Sequence, residues 1–255
     1  MSIQTKAAGF NETSATYERG RPEYPDEALR FTFEALGIDA ASTVVDLGAG
    51  SGKFTGKLAQ SGARIVAVEP VEGMREKFRR LHPAITLLDG SAEHIPLPDH
   101  SADAVVAAQA FHWFSGETAL AEIHRVLRPG GRLGLLWNVR DESNPLMAAV
   151  TTIIDPFEDG APRYRTMQWR RALETTTLFS PLEKAEFSFE QVGDPQMVLD
   201  RFGSVSFIAL LPPAERESVL DRIREASLQQ IARQGGGPIR LPYLATLFWC
   251  HRLGG

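Results

Sequence analysis

The chain has 255 residues, 43% hydrophobic and 23% charged, which is ordinary for a globular protein and excludes collagen-like, fibrous and disordered classes. Its 27 Lys and Arg against 32 Asp and Glu give a formal net charge of −5, so nucleic-acid binding would require a local basic patch. The single cysteine, Cys250, excludes an intrachain disulfide and a cysteine-based zinc site, and favours a reducing compartment such as the cytoplasm.

Helix and strand patterns alternate through the first half of the chain. A helix is predicted from Pro25 to Gly37, with acidic residues in its first turn. Alternation of this kind is typical of βαβ units and a mostly parallel sheet. The predicted strands are Thr43–Leu47, Arg64–Glu69, Ile85–Leu88, Ala102–Ala108 and Leu133–Trp137. The helices between them have apolar stripes at Met74, Phe78 and Leu81, and at Leu120, Ile123 and Leu127, the latter ending in Arg128–Gly131.

The second half is less regular. Residues 138–180 are predicted to hold two helices and loops, and Glu186–Glu190 alternates like a half-buried strand. Ala214–Arg233 is a long helix pattern, and Leu244–Cys250 is a final strand. No stretch approaches the roughly 20 apolar residues that span a bilayer, and the first residues lack a signal-peptide pattern, so we expect a cytoplasmic protein without a membrane partner.

Three glycines at alternate positions follow the first predicted strand. Gly48, Gly50 and Gly52 lie where a ligand site is expected, at the carboxyl end of a strand. Glu69 ends the next strand, where an acid can accept hydrogen bonds from ribose hydroxyls. Lys53 stands where a dinucleotide fingerprint requires its third glycine, and the P-loop spacing is absent. A ligand with a ribose and no phosphate fits this loop better.

These motifs resemble the class I S-adenosylmethionine-dependent methyltransferases, of the group called methyltransferase type 11. The family's first motif is similar to Val44–Gly52, its adenine-side motif to Asp89–Leu97, and its helix-to-strand motif to Arg125–Leu133. Ser91 stands where many relatives carry Asp. The resemblance implies S-adenosylmethionine as cofactor and S-adenosylhomocysteine as product. The cofactor-binding residues that it implies are Tyr17, Arg21, Asp46, Gly48, Ala49, Gly50, Gly52, Glu69, Pro70, Met74, Ser91, Ala92, Glu93 and Gln109.

Two further segments narrow the resemblance. Tyr17–Pro25 and Gln109–Phe114 are similar to segments in relatives of fungal trans-aconitate methyltransferase, whose substrates include small carboxylic acids. The implied fold is an α/β, Rossmann-like, doubly wound sheet of seven strands, the last antiparallel, with a helical cap. We expect an N-terminal lid and first helix (1–40), a cofactor-binding core (41–138), a helical cap (139–182) and C-terminal strands and helices that complete sheet and cap (183–255).

His112 is the candidate catalytic residue, because it follows a central strand and imidazole suits a general base near neutral pH. A contact with substrate or cofactor, and a purely structural role, are the alternatives. A carboxylate acceptor would need no base. The sequence indicates no metal site, because its six histidines are scattered.

Aromatic and cationic residues supply the candidate substrate contacts, each weighed against simple core or surface roles. Arg21 would pair with a carboxylate or only shape the helix entry. The 160–173 stretch has four arginines and no acid, which indicates either an anion-binding cap or a solvated helix face. The substrate candidates are Trp113, Phe114, Trp137, Asn138, Arg170 and Arg171.

The predicted function is methyl transfer to a small metabolite at oxygen, either carboxylate or hydroxyl. The expected partner is a small-molecule substrate, acidic if the arginines bind it, with no nucleic acid, and the chain is expected to be a monomer or homodimer. The alternatives are an RNA- or protein-directed methyltransferase, a nicotinamide-binding oxidoreductase and a cofactor-binding protein without catalysis.

Overall fold

The computed structural model describes residues 20–158, 160 and 162–254. These contain a seven-stranded sheet of order β3-β2-β1-β4-β5-β7-β6. Strands β1 to β5 pair in parallel, and the last strand is antiparallel, as predicted. The strands are β1 Thr43–Leu47, β2 Arg64–Val68, β3 Thr86–Leu88, β4 Ala102–Ala108, β5 Leu127–Arg140, β6 Glu183–Gly193 and β7 Ile239–His251.

The helices connect these strands at short intervals. They are α1 Asp26–Leu36, α2 Lys53–Leu58, α3 Glu72–Leu81, α4 Gly116–Val126, α5 Pro145–Ile154, α6 Arg170–Thr175, α7 Pro195–Gly203, α8 Ser206–Ala209 and α9 Pro213–Arg233. Single 3₁₀ turns lie at Ala59–Ser61, Phe111–Trp113, Asp155–Phe157 and Tyr164–Thr166. None of the helices in this described part is both long and apolar enough to cross a membrane.

The start of β5 differs from the prediction. Helix α4 ends at Val126, whereas the sequence was expected to stay helical up to Arg128–Gly131. Arg128–Gly131 instead lies within β5 as an irregularity. Ala102 of β4 pairs with Leu127, but Ala104 pairs with Arg132, so the register shifts across this segment. Gly130 has a positive φ of 80°, which suits the extra residues of a bulge.

The predicted stripe of α3 is wrong at its last position. Met74 and Phe78 are buried, but Leu81 is 50% exposed. The ring of His82 lies 5.1 Å from that of Phe78 and takes the place beside it at the end of the helix. Arg75, a charged residue, is buried on the same helix.

Helices α7 and α8 were not predicted, although α7 has a clear start signal. Asp194 caps it by accepting a hydrogen bond from the Met197 N–H at 3.0 Å, and Pro195 occupies the first turn. This combination is typical of a helix N-terminus. The helix has only nine residues, and its apolar residues, such as Val198, Leu199 and Phe202, span too few turns to establish a periodic pattern.

The described residues form two compact units. The first comprises 20–23, 138–158, 160 and 188–244, and its core is built from α5, α7, α9 and the first half of β7. The second comprises 24–137, 162–187 and 245–254, and includes a core of α1, α2, β1, β4 and β5 side chains. The four-part division expected from the sequence stays a prediction.

Candidate active site

The three glycines of the loop after β1 share a backbone conformation and differ in what surrounds them. All have positive φ, of 73° at Gly48, 58° at Gly50 and 90° at Gly52, where other residues are strained. A Cβ at Gly48 would lie 2.8 Å from that of Ala110, and one at Gly52 would lie 2.3 Å from the His82 ring. A Cβ at Gly50 would meet nothing within 4 Å. Gly48 and Gly52 therefore allow close packing, whereas Gly50 borders open space.

Glu69 lies just after β2 with its buried carboxylate turned to this loop. Its Oε2 accepts a hydrogen bond from the Gly50 N–H at 2.8 Å, and its Oε1 accepts one from the Val71 N–H at 2.9 Å. Burial raises the pKa of Glu69 above its usual value, and the two N–H donors oppose that shift. The acid therefore fixes the loop while each oxygen keeps a second lone pair for another donor.

Asp46, on β1, is a second buried acid of the site. Burial raises its pKa to about 7, against a hydrogen bond from the Thr55 hydroxyl at 2.5 Å that lowers it, and the nearby Glu69 raises it further. Thr55 lies on α2, directly after the glycine loop. Asp46 thus ties the strand before the loop to the helix after it.

Arg75 was missed by the sequence analysis and joins the ends of two strands. Its buried guanidinium donates from Nη1 to the Glu69 carbonyl at 2.9 Å and to Asp89 Oδ1 at 2.8 Å, and it also pairs with Glu72. Met74 beside it is buried, and Pro70 is half-buried at the start of the same connection. No sequence signal identifies Arg75, since its partners come from different strands.

The segment after β3 forms a tight turn. Ser91 and His94 exchange two backbone hydrogen bonds of 3.2 Å, and Ala92 between them is buried. Glu93 Oε1 accepts from the Ser115 N–H at 2.8 Å, at the start of α4. The Glu93 carboxylate therefore links this turn to the segment after β4.

Gln109 begins that segment with a φ of 59°, and its N–H donates to the Leu136 carbonyl at 2.8 Å. Phe114 lies against the glycine loop, because a Cβ at Gly48 would be 3.3 Å from its Cζ. The half-buried Trp113 lies 5.5 Å from His112 between ring centroids. The glycine loop and the predicted segment Gln109–Phe114 therefore meet at the carboxyl ends of β1 and β4.

His112 has a defined partner on β5. The indole Nε1–H of Trp137 donates to His112 Nδ1 at 3.2 Å. Since indole nitrogen is only a donor, Nδ1 must be the unprotonated nitrogen, and a neutral ring then has its proton on Nε2.

Trp137 also belongs to an aromatic cluster that the sequence did not predict. Ring centroids lie 4.5 Å away at Trp169, 5.2 Å at Tyr164 and 6.1 Å at Phe248. Burial raises the pKa of the Tyr164 hydroxyl, and the carboxylate of Glu186 raises it further. Tyr164 and Trp169 are interleaved with arginines in the sequence, but these rings pack on one another.

The arginines of α6 occupy a helix surface. Arg170 Nε lies 3.2 Å from Glu174 Oε1, and its guanidinium carbon lies 5.7 Å from the Phe248 ring centroid. Arg171 is exposed. Anion binding by these two residues stays a prediction.

Two candidates lie in the first unit, and Tyr17 lies outside the described residues. Asn138 Nδ2 donates to the carbonyls of Pro22 at 3.4 Å and Glu23 at 3.3 Å. Arg21 Nη2 donates to the Ser204 carbonyl at 3.4 Å. The Arg-Pro segment is therefore held in place by β5 and by the end of α7.

Comparison with known proteins identifies the family. Residues 45–135 match the family model described as a methyltransferase domain. An uncharacterized methyltransferase of Mycobacterium tuberculosis is 38% identical over 245 residues, covering 96% of both chains. The chain is a class I methyltransferase.

Two further similarities concern the structure and a relative with a stated substrate. A solved methyltransferase structure from Anaeromyxobacter dehalogenans matches with a TM-score of 0.68 and 26% identity, over 90% of this chain and 97% of that one. The malonyl-[acyl-carrier protein] O-methyltransferase of Yersinia pestis is 35% identical over 130 residues, covering 50% of this chain and 48% of the relative. Membership of the family implies the use of S-adenosylmethionine, and it decides against the nicotinamide oxidoreductase.

Proposed function

We propose that this methyltransferase transfers a methyl group from S-adenosylmethionine to a small carboxylic acid, at a carboxylate oxygen. The observation that carries the choice of acceptor is the hydrogen bond from Trp137 to His112 Nδ1. It makes His112 a hydrogen-bond donor at Nε2, and a carboxylate is an acceptor that needs no base.

The glycine loop fits the cofactor. The open space at Gly50 lets a ligand approach the backbone, and Glu69 beside it has lone pairs for ribose hydroxyls. Asp46 and Gly52 would act by shaping this loop, through Thr55 and through packing on His82. The residues of the second unit proposed to surround the cofactor are Gly48, Ala49, Gly50, Glu69, Pro70, Met74, Ser91, Ala92, Glu93 and Gln109.

S-adenosylmethionine, when bound, supplies an activated methyl electrophile, so the protein's share of catalysis is mainly alignment and exclusion of water. Trp113, Phe114 and Trp137 would provide apolar walls for that purpose. A base role for His112 would require an unprotonated Nε2, and the proton on Nδ1 would then point at the Trp137 N–H. The geometry therefore supports the substrate-contact alternative for His112.

The Yersinia relative supports oxygen as the acceptor, since it is an O-methyltransferase of malonyl-[acyl-carrier protein]. The name of this relative also favours a second candidate substrate, in which the acid is attached to a carrier protein.

The proposal is tested in two stages. Calorimetry should detect binding of S-adenosylmethionine and S-adenosylhomocysteine and none of NADH. A screen with methyl-labelled cofactor over free carboxylic acids, phenols, amines and acyl-carrier proteins should then label the acids as base-labile esters. Label only on phenols, amines or protein side chains would contradict the proposal.

His112→Ala distinguishes the two roles of the histidine. Loss of a donor contact should lower kcat/KM about tenfold without changing the pH profile. Loss of a general base should lower it roughly 10²–10⁴-fold and flatten the profile near neutral pH. The larger loss with the flattened pH profile would assign His112 as the general base.

A further inference from the structure

One buried arginine of the first unit has no acidic partner among the residues that the structure describes. Arg201, in the last turn of α7, is only 7% exposed, and its Nε donates to the Tyr243 hydroxyl at 3.1 Å. Its buried Nη1 has no hydrogen-bond partner, and the guanidinium forms no ion pair with any described residue. An N–H group that could donate is therefore held away from water without an acceptor.

The surroundings of Arg201 offset only part of this cost. The guanidinium carbon lies 5.4 Å from the ring centroid of Phe202 and 5.9 Å from that of Tyr243, so both rings contribute cation–π attraction. The helix C-terminus also favours a cation. Neither supplies an acceptor for Nη1, and buried charges are ordinarily paired.

Two more arginines lie beside the same helix end. The guanidinium carbon of Arg140 is 5.7 Å from the Phe202 ring centroid, and Arg21 donates to the Ser204 carbonyl. We call Arg21, Arg140 and Arg201 the arginine cluster. Arg140 has an acid 3.7 Å away in Glu142. Arg201 is the member of the cluster for which the described residues supply no acid.

We propose that Arg201 binds a carboxylate group of a small organic acid. The planar guanidinium fork matches the two oxygens of a carboxylate, and Nη1 would gain its missing acceptor. Identifying this acid with the methyl acceptor rests on the proposed function, whereas binding itself does not.

Calorimetry with citrate, at constant ionic strength and without added cofactor, tests the proposal on the full chain. We expect the wild-type protein to bind citrate and Arg201→Met to lose at least about tenfold in affinity. The matched control is Arg222→Gln, which removes an exposed positive charge from α9 in the same unit and should bind like the wild type. No binding by the wild type, or an equal loss in both variants, would overturn the proposal. Equal Arg201-dependent binding of sulfate would overturn its carboxylate specificity.

Thermal unfolding separates a ligand site from a structural arginine. Without ligand, Arg201→Met should have an unchanged or higher Tm, because it removes an unpaired buried charge. A fall of about 5 °C or more in a variant that still binds citrate would show a structural role. If Arg201→Met does not fold, Arg201→Lys replaces it, since lysine keeps the charge and loses the fork. Citrate affinity that is unchanged in Arg201→Lys would then refute the proposal.

This assay does not measure methyl transfer, so the two proposals can fail separately. Citrate binding at Arg201 without esterification of any acid would retain the carboxylate site and reject the proposed function. Esterification of acids that is unaffected by Arg201→Met would retain the proposed function and show that the acid bound at Arg201 is not the methyl acceptor.

Discussion

The glycine loop and the arginine cluster treat buried charge in opposite ways. Each buried charge near the loop has partners within the chain: two N–H groups for Glu69, a hydroxyl for Asp46, and a carbonyl with two carboxylates for Arg75. Among residues 20–158, 160 and 162–254, Arg201 has a tyrosine hydroxyl and two aromatic rings as partners, and no acid. A loop with internal partners is already shaped before a ligand arrives, whereas a charge without one leaves part of its pairing to the ligand.

The largest expected effect concerns Asp46, whose buried carboxyl accepts a hydrogen bond from the Thr55 hydroxyl. Its pKa is 3.8 ordinarily and about 7 in the folded protein, so between these values the folded chain retains a proton that the unfolded chain has lost. Stability therefore falls as pH rises through this window. Asp46→Asn should remove that dependence, and its stability relative to wild type should rise by about 2–4 kcal/mol between pH 4 and pH 8.

Urea unfolding at several pH values measures this difference. The control is Glu76→Gln, an exposed carboxylate on α3, for which the difference from wild type should stay constant. If the difference in the free energy of unfolding between Asp46→Asn and wild type were also constant with pH, Asp46 would be ionised across the window.

Glu69→Gln tests whether the carboxylate that fixes the loop is also required by the ligand. The amide keeps one acceptor oxygen but places an NH₂ group against a backbone N–H. We expect the Kd for S-adenosylmethionine to rise about 10–100-fold, as for loss of charge-assisted hydrogen bonds. Calorimetry measures it, again with Glu76→Gln as control. Unchanged affinity would show that Glu69 shapes the loop without contributing to binding.

The sequence predicted the loop better than it predicted the charges around it. Gly48, Gly50 and Glu69 follow strands whose ends meet at one edge of a parallel sheet, so local pattern and topology agree. Arg75 could not be predicted, because its acceptors Glu69 and Asp89 follow β2 and β3 and meet only in the fold. Arg201 looks like an ordinary polar residue in a stretch that was not recognised as a helix.

The aromatic cluster was unpredictable for a related reason. Trp137, Trp169 and Phe248 are far apart in the chain, and their contacts depend on β7 lying antiparallel beside β5. The end of α3 shows the limit of periodicity itself, since Leu81 fits the stripe and is exposed while the neighbouring His82 packs on Phe78.

Arg75→Met tests a buried arginine that, unlike Arg201, has carboxylate partners among the described residues. The variant leaves the Glu69 carbonyl without its donor, so we expect a loss of about 1–3 kcal/mol in the free energy of unfolding. The KM for S-adenosylmethionine should rise more than kcat falls, because Arg75 positions the loop ends without touching the methyl acceptor. The exposed Arg79→Met is the control. Equal stability of Arg75→Met and wild type would remove the contrast with Arg201.

The smallest expected effect comes from Trp137→Phe, which retains an aromatic ring in the cluster, shortens a buried indole and removes the N–H that donates to His112. A net hydrogen bond contributes about 0.5–1.5 kcal/mol, so kcat/KM should fall roughly 2–10-fold. The ring nitrogens of His112, observed by ¹⁵N NMR, should show the Nε2–H form in the wild type and a mixture of tautomers in the variant. Trp169→Phe is the matched control, because its indole donates to the Tyr164 carbonyl and not to His112. If the wild-type ring carried its proton on Nδ1, the indole could not donate to it, and the argument for a carboxylate acceptor would lose its support.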